Sequence, residues 1–370
     1  MSYVSRRANL LLKCSLLALC YQAGTAHATP FTLPAGRIAL DVSYIYDSGD
    51  HFWDGNGSHA AFSLSGKFLS NSAFVGLRFG VFDGLEVGLR TAYKSAVYTA
   101  NPIHLYSTPT GFAPTGSLTS TIFNFSGQES GLSDIYVGTS YRPINRRVSL
   151  AFETELKVPT GYRAPSGTLC LNVPPDAVRE LVRSSIRSPG QPKVTPDLFC
   201  TGATLGDAQV DWLLAVQLGA FISKTRTFIR ADLGMNFRFQ GPGQQLVSAV
   251  KVGEDILGRV VVYVGGRFAY TLNTGDPVGT TIDSALPEAP ASAYPGDPYE
   301  PTRNQSPEDL DKLLVYNVAT RDRSYLMFDA GVVFRLASAL ELRFNYSRAL
   351  WGKNFPELNS LSLGFAVATQ

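Results

Sequence analysis

The sequence predicts an all-β fold, a transmembrane antiparallel up-and-down β-barrel of about twelve strands. Three observations lead there. Apolar and polar residues alternate strictly through segment after segment of about 10–13 residues, longer than the strands of most soluble sheets. The links between segments alternate between very short and very long. An export leader precedes all of this, and no later apolar run reaches the ~18 residues of a membrane helix.

The leader spans residues 1–28. Arg6 and Arg7 make a positive start, Leu10 to Cys20 an apolar run interrupted by Lys13, and Ala26-His27-Ala28 a cleavage site before Thr29. A short anchor helix would need a longer run. A lipoprotein signal at Cys20 would need a small residue where Leu19 stands. The mature chain, 29–370, is therefore expected to leave a bacterial cytoplasm.

Composition bounds the rest. The 370 residues are 45% hydrophobic and 17% charged, too apolar for a disordered chain. The leader holds three basic residues and no acid, which leaves 29 basic and 30 acidic residues in the mature part. That balance argues against a nucleic-acid partner.

The alternation defines each strand. In 36–46, Ile38, Leu40, Val42, Tyr44 and Tyr46 share one face, with Ala39, Asp41 and Ser43 on the other. The segments 72–81, 85–97, 132–142, 147–158, 208–222, 227–240, 246–253, 258–271, 323–336, 340–348 and 359–369 follow the same rule, with 246–253 the faintest. A soluble sandwich also alternates. Strand length, link pattern and the return of charge to a single face favour a barrel with a lipid-facing exterior and a polar lumen.

Five short links, among them the tight-turn pair Asp83-Gly84, are expected in the periplasm together with both termini. The long links at 47–71, 98–131, 159–207, 241–245, 272–322 and 349–358 then lie outside. Tyr44, Tyr46, Tyr93, Trp212 and Tyr346 fall near strand ends on the apolar face, as interface girdles require.

The inward face carries the candidate site. Arg90, Lys94, Glu153, Glu155, Arg230, Asp232, Arg238, Arg267 and Arg343 are expected to line the lumen, accompanied by Arg78, Arg142, Lys157, Arg259, Arg335, Glu86, Asp134, Asp211, Asp329 and Glu341. Such a mixture either pairs off and narrows the lumen or lines a wet pore whose charges select solutes.

Two loop insertions stand out. In 159–207, Cys170 and Cys200 are the only mature cysteines, and in an exported chain they point to a disulfide, with two free thiols the alternative. Closing that loop contributes about 3–4 kcal/mol. Between them Val178, Leu181, Val182 and Ile186 keep helical spacing opposite Arg179, Arg183 and Arg187, a short amphipathic helix that caps the mouth or packs on its rim. In 272–322 the run of prolines from Pro277 to Pro307 predicts an extended, mobile loop, and its acids follow no calcium-loop pattern.

Nothing points to catalysis, a metal or a cofactor. No G-x-S-x-G or phosphate-binding loop occurs, His51, His59 and His104 sit in outer links, and His51, Asp54 and His59 match no metal template.

Four stretches carry a resemblance. Gly131-Leu132-Ser133-Asp134, Val158-Pro159-Thr160-Gly161, Ala231-Asp232-Leu233-Gly234 and Trp351-Gly352-Lys353-Asn354 occur in the order and spacing of a family of outer-membrane barrel transporters, similar to the meta-pathway phenol-degradation protein. The resemblance implies a passive outer-membrane channel for small hydrophobic or aromatic solutes, with membrane lipid and the barrel-assembly machinery as partners. The chain ends Val367-Ala368-Thr369-Gln370, without the terminal aromatic of many such barrels. The competing expectation is a closed structural or adhesive barrel whose outer loops bind a partner.

Overall fold

The computed structural model describes residues 32–62, 65–100, 103–107, 119–123, 126–162, 204–239, 241–256, 258–283, 315–337 and 339–369. The leader, Cys170 and Cys200, and the amphipathic stretch between those cysteines lie outside the described residues.

Nineteen strands are formed among them. They are β1 (Ile38–Gly49), β2 (His51–Trp53), β3 (His59–Ala61), β4 (Lys67–Phe82), β5 (Leu85–Thr99), β6 (Ile103–Ser107), β7 (Thr119–Phe123), β8 (Gly127–Asn145), β9 (Val148–Val158), β10 (Asp211–Ile222), β11 (Thr227–Arg238), β12 (Gln245–Ile256), β13 (Val260–Thr271), β14 (Pro277–Asp283), β15 (Val315–Thr320), β16 (Ser324–Ala337), β17 (Leu340–Lys353), β18 (Phe355–Pro356) and β19 (Asn359–Ala368). Twelve of these close a barrel in the order β1-β19-β17-β16-β13-β12-β11-β10-β9-β8-β5-β4, each pair antiparallel. They are the twelve expected segments, and the faintest, β12, pairs in continuous register with β11 and β13. Closure joins β1 to β19, with Ala39 opposite Ala368.

The alternation resolves in the direction that lipid demands. Leu40, Val42, Tyr44 and Tyr46 of β1 point outward, whereas Ala39, Asp41, Ile45 and Asp47 are buried inside. The same holds around the ring, with Leu361 58% exposed and its neighbour Ser360 3%. A water-soluble sandwich would bury the apolar set. Here the apolar set forms the outside and the polar set the inside, which is stable only where hydrocarbon surrounds the wall and every backbone pair is closed within it. Trp212 and Tyr346 lie on this outer face and donate to Thr154 and Asn359 (2.7 and 3.1 Å), so their polar tips are satisfied.

The two ends differ as the links predict. At the terminal end, Gly84 adopts φ +95° in the β4–β5 turn, a conformation that glycine takes without strain, and its carbonyl accepts from Arg142 N (2.7 Å). The stretch before β1 folds under this end, where Leu33 N donates to Glu86 Oε2 (2.9 Å).

The opposite end is more ordered than its loop-like sequence suggested. β2, β3 and β18 form a three-stranded sheet, and β6–β7 and β14–β15 form hairpins. The ends of the 272–322 insertion thus pair with each other as β14 and β15 rather than running free. Backbone pairing tolerates this because Pro277 is the first residue of its strand. Phe52, Phe62, Phe68 and Leu358 make one apolar cluster at this end, and Trp53, Tyr325, Met327 and Phe355 another.

Candidate functional site

The interior is built in tiers. Nearest the periplasmic end, Asp41 receives Arg78 (3.3 Å) and Arg343 (2.8 Å), Arg78 also meets Glu86 (3.3 Å), and Arg343 meets Glu341 (2.7 Å). In the middle tier, Arg90 bonds Glu155 (2.7 Å), Arg230 pairs with Asp232 (2.8 Å), and Arg267 grips Asp329 with two nitrogens (2.8 and 2.7 Å). Glu153 accepts from the amide of Gln217.

Small residues make the longer reaches possible. Arg90 is on β5 and Glu155 on β9, with β8 between them. Gly138 of β8 stands opposite both Gly88 and Glu155, so no side chain blocks the path, and the guanidinium passes 4.3 Å over the Tyr136 ring. Gly364 of β19 is opposite Arg343 and leaves similar room for its reach to Asp41. Gly138→Val should therefore push Arg90 off Glu155 and cost about 1–3 kcal/mol by overpacking, measured as a shifted urea midpoint of the refolded barrel. An unchanged midpoint would show that Gly138 does not hold this path open.

The outermost tier is the densest. Asp207 comes from the end of the 159–207 insertion and turns inward, fully enclosed. It binds Lys157 (2.5 Å), Arg238 (3.2 Å) and Arg323 (3.6 Å), and it accepts from Gln209 (3.0 Å). Lys157 also meets Asp211 (2.5 Å). Burial alone would raise the Asp207 carboxyl, but Lys157, Arg323 and Arg238 outweigh it and hold it below the ordinary carboxylate range. Beside it, Asp322 accepts from Gly243 N (2.7 Å) and Gly275 N (2.6 Å), while the Arg323 carbonyl accepts from Gln245 (2.8 Å) and Thr271 (2.7 Å). The ends of both long insertions are thus pinned to the barrel at one charged latch.

The expected site residues can now be located. Arg90, Glu153, Glu155, Arg230, Asp232, Arg238, Arg267 and Arg343 have their side chains on the inner wall, and Lys94 is buried at 2% exposure. Two of the accompanying cations differ from expectation. Arg259 lies exposed in the β12–β13 turn, because the strand starts one residue later, and its carbonyl accepts from Arg335 N. Arg335 stays at the periplasmic rim, 41% exposed, paired with Asp255 (2.9 Å). Periodicity missed Asp207, which lies in a link, and Arg323, the first residue of the expected segment 323–336, was not singled out; the structure leaves it just before β16. Periodicity also passed over Lys251, whose inward neighbours Val247 and Ala249 are apolar and blur the pattern.

Two of the motif stretches, Gly131–Asp134 and Val158–Gly161, sit at the outer corners, whereas Ala231–Gly234 lies midway along β11. Thr160 donates to the Leu132 carbonyl (2.7 Å), Ser133 to that of Leu205 (2.9 Å), and Tyr162 to Asp134, while Gly161 turns at φ +95°. They serve to fold links back onto the barrel. His51 and His59 stack at 5.1 Å, but His51 bonds Asp50 and His59 bonds Glu357. Among the described residues no group of three or more His, Cys, Asp or Glu is placed to hold a metal ion.

Among the described residues, two cavities in the lumen share Glu153. One of about 430 Å³ lies by Arg78, Arg90 and Tyr136. The other, about 670 Å³, lies by Leu213, Val247, Lys251 and Tyr325.

No protein-family model matches the sequence, and no curated protein matches it. Solved structures do. An outer membrane channel of the COG4313 group from Pseudomonas putida F1 superposes with a TM-score of 0.57 at 11% identity, over 93% of this chain and 100% of that one. The NanC porin follows at 0.41 and 8%, over 89% and 98%, and a TodX monoaromatic hydrocarbon channel variant at 0.40 and 10%, over 98% of each. The first of these shares the fold. The chain is an integral outer-membrane β-barrel. Its short turns and termini face the periplasm, and its latch faces outward.

Proposed function

We propose that this barrel is a passive outer-membrane channel for small, mainly hydrophobic or aromatic solutes. The observation that carries the reading is an interior that is charged yet hollow, with cavities of about 430 and 670 Å³ between tiers of paired side chains. The fold it shares is that of a protein described as an outer membrane channel. The larger cavity combines apolar and ionic walls, as a route for amphipathic molecules needs. Membrane lipid surrounds the wall, and the assembly machinery would insert it. No step of the reading calls for a nucleotide, a cofactor or catalysis. Cys170 and Cys200, if joined, would constrain the loop that ends in Asp207.

The test is single-channel conductance of the refolded mature protein in a planar bilayer, with aromatic solutes added. Discrete conductance steps that a solute blocks are expected. A correctly folded but silent barrel would overturn the channel reading. It would favour the closed barrel whose loops bind a partner, for which the dense latch at the mouth is the structural argument.

A further inference from the structure

The larger cavity has one cation whose ammonium makes no direct hydrogen bond or ion pair among the described residues. Lys251 sits on the inner face of β12, opposite Arg230 and Gly265. Among the described residues Asp329, across Gly265, and Asp232, on the next strand, act on its ammonium only through space, and its one aromatic contact is the Tyr263 ring at 5.1 Å. The other cations of that cavity are engaged. Arg230 is held by Asp232, and Arg267 by Asp329, which Ser347 also supports (2.6 Å). Glu153 belongs to the same cavity but stands three strands from Lys251 along the wall, bonded to Gln217. At about 4.8 Å per strand that separates them by roughly 14 Å along the wall.

Part of the wall around Lys251 is apolar, beside the ionic pairs of Arg230 with Asp232 and Arg267 with Asp329. Leu213, Val247 and Tyr325 line it, and Gly234 and Ala249 add no bulk. A charge facing such a cavity without a hydrogen-bonding partner is costly, and a directly bound counter-charge offsets that cost. Low surrounding polarity strengthens the attraction. A single ammonium provides one anchoring point. A phosphate or a sugar acid chain would call for several donors or an arginine fork. A neutral hydrocarbon would have no use for it.

We propose that this cavity is a binding site for small aromatic carboxylates, with the carboxylate on Lys251 and the ring along Leu213, Val247 and Tyr325. The proposal rests on the channel reading for its biological sense, and it narrows the solute class from hydrophobic or aromatic to aromatic acid. The empty space there, about 670 Å³, is partly open to the lumen, so a solute can reach it.

The test is equilibrium dialysis of radiolabelled benzoate, and separately of benzamide, against the refolded mature protein in detergent. Saturable binding of one benzoate per barrel is expected, with benzamide at least tenfold weaker. Lys251→Met should weaken benzoate at least tenfold, and Lys251→Arg should retain most of it. Heat-modifiable gel mobility checks that each variant is folded. Equal affinity for benzoate and benzamide on the unaltered protein overturns the proposal even if Lys251→Met does not fold. Undiminished benzoate binding by folded Lys251→Met overturns it too. Dialysis needs no open pore. Benzoate binding by an electrically silent barrel keeps this site and removes the channel. Conductance without benzoate binding keeps the channel and removes this site.

Discussion

Asp207→Ala should cost the refolded barrel about 3–5 kcal/mol, the usual penalty for taking one partner out of a buried charge cluster. The carboxylate is fully enclosed by Lys157, Arg238 and Arg323, so its loss sets three cations against one another. Asp211 still serves Lys157 and lies 3.8 Å from Arg238, but Arg323 is left without Asp207. Since the latch ties down the ends of both insertions, Asp207→Ala should also raise or destabilise single-channel current. Unfolding in urea and current recordings check the two effects. An unchanged midpoint would mean that the latch contributes no stability.

The pH dependence follows from the sign of the shift. The native Asp207 carboxyl lies below its unfolded value. Such a group lends its full stabilisation above the unfolded value, about 3.9, and loses it as pH falls through the lower native value. The Asp207→Ala penalty should therefore stay constant from neutral pH down to about 4 and shrink only in stronger acid. A penalty that fades between neutral pH and 5 would contradict the ion pairs.

Val216→Arg should cost about 2–4 kcal/mol, because it places a charge on the lipid face midway along β10. Trp212→Arg, on the same face at the outer end, should lose only about 0–1 kcal/mol of transfer energy, plus its bond to Thr154. The gradient between the two tests the outward direction of this face. A soluble sandwich would show no dependence on depth. Folding into lipid vesicles, followed by denaturant titration, measures it.

The wall was legible in the sequence because a strand's period is two and the bilayer imposes one sign on each face. Ile38 to Tyr46 declares its outer face without help from any partner. The site was legible in part. Arg90, Glu155, Arg267 and Arg343 are charges at inward positions, so periodicity finds them. Lys251 is a charge in a run of inward small and apolar residues, and β12 was the faintest strand for the same reason. Asp207 lies in a link, where no period says which way a side chain points, and Arg323 stands at the edge of its segment, just before β16. The ordered outer sheet of β2, β3 and β18 escaped notice because strands of two or three residues are too short to show alternation.

The sequence by itself determined the number of barrel strands, their order, their inner and outer faces and the end at which the long links lie. All of these follow from local alternation and turn chemistry. Only the tertiary structure decided which charges meet. Arg90 finds Glu155 across a whole intervening strand, and Asp207 meets cations from three separate segments, because closing the barrel brings distant residues within a few ångströms. The same closure leaves the Lys251 ammonium facing a cavity without a direct hydrogen bond or ion pair, and that depends on the register of neighbouring strands rather than on any motif.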